Sequence, residues 1–194
     1  MLKRILRKVL GRSPRVSGRQ WANQLREKGE VYHIGEGCSI LPSTKIIDPY
    51  LTWIGNRVCL GNCTLLGHDG AIEMLNQKFG LKLDRVGPVI IEDDVFIGEG
   101  AMVLPNTTIG AGSIIGAGTV VRNNVPPGSV VMGNPGKVVA KTEDIVRFWE
   151  ADTLAYPWAD LIAKREGAYD PKLEPELVRR RQEHFFKGPL KRRP

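Results

Sequence analysis

His68 is the residue of this 194-residue chain whose type and setting could do acid–base chemistry. It is one of three histidines, and it stands in the run Gly67-His68-Asp69-Gly70, with a glycine close on either side. The pKa of imidazole lies near neutrality, so a positioned histidine can take a proton from a reacting hydroxyl group. We therefore treat His68 as a candidate general base.

A six-residue period predicts the scaffold that must position this histidine. Aliphatic residues recur at every sixth position over 91–121, and a small or β-branched residue follows each one by four. An ordinary helix has a period of about 3.6 residues and a strand a period of about 2, so neither gives this spacing. A fixed period of six predicts a parallel β-helix. The aliphatic positions are Ile91, Ile97, Val103, Ile109, Ile115 and Val121.

The same pattern extends upstream over residues 34–66, with a slip of two residues near Asp48-Pro49-Tyr50. Twelve repeats are visible in total. At three faces per turn they predict roughly four coils, whose strands pair one turn apart at about 4.8 Å along the axis. Each aliphatic residue, including Leu66, is expected to point into the coil.

The period stops after Leu66 and resumes at Ile91. Residues 68–90 keep no six-residue period, so we expect a loop that leaves one corner of the coil. Long irregular loops inside a compact domain are often functional. His68 stands at the start of this one, which strengthens its candidacy.

Four polar residues near the break are candidates for orienting His68 or for contacting a substrate. Asp48 occupies the corresponding place one turn earlier and so faces the same groove in this interpretation. Asp69 follows His68 directly, although aspartate at such a position also caps turns. Glu73 and Tyr50 are further candidates for contacting an acceptor.

Charge is distributed unevenly along the chain. Residues 1–30 carry a net charge of +7 and residues 164–194 one of +5, whereas residues 31–163 carry −5. The basic ends contain no recognised nucleic-acid motif, so we expect no nucleic-acid binding. We predict a basic amphipathic helical segment over 1–30, and a helical extension with a basic tail over 141–194.

Residues 1–12 form a basic amphipathic pattern that leaves two interpretations open. Such a helix could lie on an anionic membrane surface as a peripheral contact, or it could pack on the coil or on a neighbouring chain. Charged residues interrupt the apolar stretch, which excludes a signal peptide and a membrane span. The three cysteines have no metal-type spacing and favour reduced thiols in a cytoplasmic protein. A peripheral position at the inner membrane face stays open.

The domain predicted over residues 31–140 resembles the left-handed β-helix, hexapeptide-repeat acyltransferases. It is most similar to the polysaccharide and sugar O-acetyltransferases, such as galactoside and maltose acetyltransferases. The run LLGHDGAI around His68 resembles the place where that family carries its catalytic histidine. The resemblance implies an all-β fold, a left-handed parallel β-helix with an excursion loop and short helical ends. It also implies a homotrimer. The other matching pieces are VFIG, IGAGTVV, VPPGS and GNPGKVV.

The resemblance further implies acetyl-CoA as co-substrate, bound by two groups of residues. Small or apolar residues let the thin pantetheine arm lie against the coil. Polar and basic residues meet the phosphates or the adenine, with a lysine as a point charge where the family often has arginine. The arm residues are Phe96, Gly98, Gly116 and Ala117, and the phosphate or adenine residues are Arg122, Asn123, Lys137 and Lys141.

The function implied is an acetyl-CoA-dependent O-acetyltransferase in which His68 deprotonates a hydroxyl of a saccharide or of a polysaccharide or O-antigen precursor. An N-acetyltransferase on a nucleotide-linked amino sugar and a serine O-acetyltransferase stay open as alternatives. A catalytically idle scaffold also stays open, because solenoids serve as docking surfaces. A γ-class carbonic anhydrase would need two histidines four or five residues apart, which the chain lacks, and we predict no metal.

Overall fold

The computed structural model describes residues 16–167 and 169–187, and the chain divides into two compact units at Thr142. The predicted helix over residues 1–12 lies outside the described residues. Within the described ranges, no helix is both long enough and apolar enough to cross a bilayer.

The first unit is a coil of short strands that form three sheets. The strand orders are β1-β4-β7-β10, β2-β5-β8-β11-β13-β14 and β3-β6-β9-β12, so each strand pairs with a strand one turn away. All the pairs are parallel except β13 with β14, which closes the coil. The strands are β1 (His33–Ile34), β2 (Ser39–Ile40), β3 (Lys45–Ile46), β4 (Thr52–Ile54), β5 (Cys59–Leu60), β6 (Thr64–Leu65), β7 (Val89–Ile91), β8 (Phe96–Ile97), β9 (Met102–Val103), β10 (Thr107–Ile109), β11 (Ile114–Ile115), β12 (Val120–Val121), β13 (Ser129–Met132) and β14 (Lys137–Lys141).

Four complete coils result, and β13 begins a fifth. The predicted fold class, a left-handed parallel β-helix with an excursion and helical ends, is confirmed. Its interior is a stack of aliphatic side chains held in register by the strand pairs. Ile40, Leu60, Ile97 and Ile115 occupy one face, and each is at most 2% exposed. Burying one such side chain contributes about 1.5–3 kcal/mol, and the coils supply this burial to one another.

One repeat differs from the predicted register. Leu65, rather than Leu66, points into the coil, and Leu66 is only half-buried. The cause is a tight three-residue turn in which the amide of Cys63 donates to the carbonyl of Gly61 at 2.8 Å, shortening this corner by one residue. Cys63 therefore takes the buried small position expected for Thr64, and burial raises the pKa of its thiol to about 12.

Helix α1 (Gly18–Lys28) packs against β1 and β2 at the amino-terminal end of the coil. A capping box starts it: the Ser17 hydroxyl accepts from the amide of Gln20, whose side chain accepts from the Ser17 amide. Ala22 and Leu25 are its buried residues. The first coil thus has its apolar end covered.

The second unit is helical, as the sequence predicted for the residues after the coil. Its helices are α3 (Thr142–Ala155), α4 (Ala159–Lys164) and α5 (Glu174–Phe186), and helix α2 (Ala71–Phe79) lies in the excursion described below. Trp158, Leu161 and Leu177 form a small core of their own. This core allows the unit to be considered separately from the coil.

Candidate active site

The excursion leaves and re-enters the coil at one point, and His68 lies there. His68 forms an isolated antiparallel bridge with Val86, and the amide of Gly87 donates to the carbonyl of Gly67 at 2.8 Å. These contacts fix the two ends of the excursion side by side. The backbone of His68 is therefore held by the coil as well as by the excursion.

The predicted irregular loop over residues 68–90 is partly a helix. Helix α2 spans Ala71–Phe79 and ends at Gly80, whose left-handed backbone suits a C-cap. The Asn76 side chain then accepts from the amide of Leu83 and donates to its carbonyl, which ties the return segment to the helix. Ile72, Leu75 and Phe79 stand at a helical spacing in this segment, but three apolar positions within nine residues are a weak signal beside the strict period of six, so the helix was missed.

Asp48 holds the ring of His68. Its Oδ2 lies 2.8 Å from Nδ1 of His68 and also accepts from the amide of Gly67 at 2.9 Å. The carboxylate is nearly buried, with 10% of its side chain exposed, whereas 43% of the His68 side chain is exposed. The backbone of Asp48 is fixed in turn, because its carbonyl accepts from the Thr52 hydroxyl and from the amide of Leu51, both at 3.0 Å.

Glycine is required at position 67 by the close approach of Asp48. A Cβ added to Gly67 would lie 2.7 Å from Cβ of Asp48 and 3.1 Å from its Oδ2. Real Cβ atoms do not approach other atoms so closely, so any larger residue would displace the carboxylate. The glycine before His68 thus belongs to the same arrangement as the aspartate one coil earlier.

This arrangement sets the chemistry of the imidazole. An ionised carboxylate can only accept a hydrogen bond, so a neutral imidazole in this contact donates from Nδ1 and keeps the lone pair of Nε2. A ring oriented in this way can take a proton at Nε2, and Asp48 stabilises the resulting imidazolium. The pair has the geometry of a general base with its orienting group.

Asp69 occupies a different role from that of Asp48. Its Oδ1 accepts from the amide of Ala71 at 3.0 Å, at the start of α2, and its Oδ2 lies 3.8 Å from Nε of Arg85. The turn-capping interpretation of Asp69 therefore matches its contacts. Of the two aspartates considered, it is Asp48 that touches the ring.

His68 lines two cavities, and both are also lined by Asp69, Gly70 and Arg85. The carboxylate cavity, of about 350 Å³, adds the predicted acceptor residues Asp48, Tyr50 and Glu73, together with Asp84. The arginine cavity, of about 640 Å³, adds Leu66, Leu104, Pro105 and Arg122. The structure thus brings the acceptor candidates together, and it places Arg122 in a cavity that His68 also lines.

The other residues predicted to bind the donor lie elsewhere on the same chain. Gly98, Gly116 and Ala117 form a different corner of the coil, where a Cβ on Gly98 would meet the backbone of Ala117 at 2.7 Å. Phe96 projects outward from β8 and is 47% exposed. The remaining polar residues predicted for the donor, Asn123, Lys137 and Lys141, are exposed and line neither cavity beside His68.

Arg85 and Asp84 were missed by sequence reasoning. Arg85 lines both cavities, and Asp84 lines the carboxylate cavity. No motif marks them, since they stand in the return segment of the excursion, where the repeat is absent. Only their position just before the re-entry of the chain could have indicated them. Among the described residues, no group of three or more His, Cys, Asp or Glu side chains is placed to hold a metal ion.

Comparison with known families identifies the repeat. Residues 88–123 match the family described as bacterial transferase hexapeptide, with six repeats. This match confirms the resemblance to hexapeptide-repeat acyltransferases predicted from the sequence. The matched stretch comprises the third and fourth coils, next to the His68 excursion.

Two curated relatives are similar to this chain over part of their length. The Schizosaccharomyces pombe protein named "Putative acetyltransferase C18B11.09c" is 35% identical over 113 residues, which are 58% of this chain and 54% of the relative. The Staphylococcus aureus 2,3,4,5-tetrahydropyridine-2,6-dicarboxylate N-acetyltransferase is 47% identical over 58 residues, which are 30% of this chain and 24% of the relative. The chain thus spans about half the length of the first relative and a quarter of the second.

Two solved structures are similar over about two thirds of this chain. A galactoside acetyltransferase in complex with coenzyme A is 20% identical, with a TM-score of 0.46 over 67% of this chain and 83% of that chain. The hexapeptide-repeat acetyltransferase VCA0836 of Vibrio cholerae, complexed with acetyl coenzyme A, is 21% identical, with a TM-score of 0.44 over 63% and 86%.

Proposed function

We propose that this chain is an acetyl-CoA-dependent O-acetyltransferase that acts on a hydroxyl of a saccharide or polysaccharide precursor. The observation that carries the proposal is the 2.8 Å contact between Asp48 and Nδ1 of His68. It leaves Nε2 of a half-exposed imidazole outside this contact, and His68 lines two cavities in which a hydroxyl group and a thioester can meet.

The reaction follows from this geometry. Nε2 of His68 takes the acceptor proton while the acceptor oxygen attacks the thioester carbonyl, and Asp48 stabilises the imidazolium that forms. The carbon–sulfur bond then breaks, and the imidazolium returns the proton to the leaving thiolate. The products are an acetyl ester and free coenzyme A, and His68 ends in its starting state.

The names of the two relatives support acetyl transfer, and the hexapeptide match supports the coil on which the donor would lie. We assign the pantetheine arm to Phe96, Gly98, Gly116 and Ala117, as the resemblance implies. These residues and His68 lie on different corners of one chain. A homotrimer, in which a groove between adjacent subunits brings two corners together, therefore accompanies the proposal.

A second candidate is an N-acetyltransferase. It is favoured by the name of the Staphylococcus aureus relative, which matches over 58 residues. The same imidazole could take the proton of an amine nucleophile, so His68 would keep its role. The acceptor that is acetylated distinguishes the two candidates.

The experiment is acetyl transfer from acetyl-CoA to a panel of sugars, nucleotide sugars and serine, with wild type, His68→Ala and His33→Ala. Positioned general-base catalysis contributes roughly 10²–10⁴-fold in rate, and we expect His68→Ala to lose about that factor while keeping the thermal unfolding of wild type. His33 is the matched control, because it is also exposed but stacks on Trp53 away from both cavities. Near-normal turnover in His68→Ala would contradict the assignment, and absence of acetyl-CoA binding in wild type would favour an idle scaffold.

A further inference from the structure

The two cavities that share His68 carry opposite charge. Asp69 and Arg85 line both of them and lie 3.8 Å apart, so their charges largely offset each other. The carboxylate cavity then keeps the negative charges of Glu73 and Asp84, in addition to that of Asp48, which contacts His68. The arginine cavity keeps the positive charge of Arg122.

The charges on both sides are uncompensated. Within residues 16–167 and 169–187, neither Glu73 nor Asp84 forms an ion pair, and both side chains are exposed to the cavity they line. Glu73 stands in the first turn of α2, where the positive end of the helix dipole favours a carboxylate. The fold thus stabilises negative charge on this side.

Arg122 is brought to the histidine by the stacking of the coils. The amide of Leu66 donates to Val103 and the amide of Leu104 donates to Val121, so Leu66, Leu104 and Arg122 form one column. Two coil spacings of about 4.8 Å separate its ends. Arg122 forms no ion pair among the residues that the structure describes, so its guanidinium is available to a ligand.

We propose that acetyl-CoA reaches His68 through the arginine cavity, that the acceptor enters through the carboxylate cavity, and that the acceptor is consequently an uncharged or amine-bearing saccharide. This inference rests on the proposed function. Coenzyme A carries phosphate groups, which Arg122 attracts and which Glu73 and Asp84 repel. The same two carboxylates accept hydrogen bonds from sugar hydroxyls, and they oppose an acceptor that carries a phosphate or a carboxylate.

The size of the carboxylate cavity agrees with this assignment. Its volume of about 350 Å³ lies at the lower end of the range for small-molecule sites. It suits a single sugar ring, with Tyr50 as a flat wall and the acidic side chains as hydrogen-bond acceptors. The charge of that ring is then the property by which the site discriminates.

The test compares acceptors that share one ring and differ in charge: methyl glucoside, glucosamine, glucuronate and glucose 1-phosphate, with the corresponding galacto series. Binding is measured by saturation-transfer NMR and transfer by release of coenzyme A. We expect wild type to favour the neutral and amine members by about tenfold or more. In the double variant Glu73→Gln/Asp84→Asn, the preference for neutral and amine acceptors over anionic ones should fall about fivefold, because the anionic acceptors are used better. High salt should weaken the same preference in wild type.

Glu36→Gln is the matched control, since Glu36 is an exposed carboxylate of the same unit that lines neither cavity. Its preference should equal that of wild type. Arg122→Gln should raise the KM for acetyl-CoA about threefold or more and leave the preference among acceptors unchanged.

Three outcomes would overturn the inference: a wild-type preference for anionic acceptors, a carboxylate variant that changes the KM for acetyl-CoA instead of the preference, or no binding of any member. The proposed function fails separately. If the neutral and amine acceptors bind better than the anionic ones but accept no acetyl group, the inferred charge selection is supported and the proposed acetyl transfer is contradicted.

Discussion

Two corners of the same coil show how a repeat becomes a site. At the Gly98 corner, formed by Gly61, Gly98 and Gly116, each amide donates to a carbonyl one coil away at 2.8 Å. At the His68 corner, formed by residues 66–70, the ladder ends with the amide of Leu66, and the next amide, that of Gly67, donates to the Asp48 carboxylate. At the point where the repeat stops, a side chain supplies the acceptor for a backbone amide.

Different contacts determine the structure of these two corners. The Gly98 corner is specified by close packing of backbone on backbone, which any regular repeat of small residues satisfies. The His68 corner depends on a contact between residues 20 positions apart, which supplies an acceptor for the coil and an orienting group for the imidazole at once. A change at the first corner should therefore affect stability, and a change at the second should affect activity.

Of the three variants that test this comparison, Gly67→Ala should have the largest effect, because it disrupts the contact at the His68 corner. The added Cβ would lie 2.7 Å from Cβ of Asp48, so the carboxylate must move away from the ring. We expect kcat for acetyl transfer to fall by about 10²-fold, the lower end of what a positioned base contributes. Steady-state kinetics measure this. Gly70→Ala is the control for stability, because a Cβ there meets nothing within 4 Å and the φ of −66° suits any residue. Wild-type kcat in Gly67→Ala would show that the carboxylate is not needed.

Gly98→Ala should break the other corner. Its Cβ would meet the amide nitrogen of Ala117 at 2.7 Å, and backbone cannot move aside cheaply. Overpacking of this kind costs about 1–3 kcal/mol, which chemical denaturation measures as a lower free energy of unfolding. The rate constant of the folded enzyme at saturating acetyl-CoA should change far less than in Gly67→Ala. A variant as stable as wild type would contradict the packing account of this corner.

Arg57→Gln should have the smallest effect, and it extends the comparison to a third corner. Arg57 donates to both carboxylate oxygens of Asp94 at 2.6 and 2.7 Å, and these bonds hold the pKa of Asp94 below its ordinary value of 3.8. Because the pKa of Asp94 is lower in the folded state, its ionised carboxylate stabilises the fold at any pH above the ordinary value of 3.8. This stabilisation is lost as the pH falls through the lowered pKa. The variant should therefore lose less stability than wild type on acidification below pH 4. The melting temperature as a function of pH, from about 5 to about 2, measures this. Parallel curves for the two proteins would exclude a contribution from the pair.

Much of the coil was predictable from the sequence, because its packing repeats. The strict spacing of residues such as Ile97, Ile109 and Ile115 predicts parallel strands stacked in register, and the structure confirms it. The position of Leu65 was not predictable in this way. A single short turn at Cys63 shifts the register by one residue, and a period of six does not reveal it.

The site was predictable in part. The break in the period indicates His68, and the predicted register sets Asp48 opposite it one coil earlier. The observed pairing of Ile46 with Leu65 sets Asp48 opposite Gly67 instead, and from there its carboxylate reaches the ring of the next residue. The choice between Asp48 and Asp69 needed the structure. Asp69 is next to His68 in the sequence and Asp48 lies one coil away, and the sequence does not show which of the two carboxylates contacts the ring. The presence of Arg122 in the same cavity as His68 also depends on which residues stack two coils apart, and the sequence shows this only once the register of every coil is known.

In the proposed reaction, Asp48 acts through His68. The most direct measurement is kcat for acetyl transfer in wild type, Asp48→Asn, His68→Ala and the double variant. We predict a fall of about 10²-fold for Asp48→Asn and of about 10²–10⁴-fold for His68→Ala, with the double variant within about twofold of His68→Ala. If the two losses instead multiply in the double variant, or if Asp48→Asn turns over like wild type, Asp48 does not act through His68.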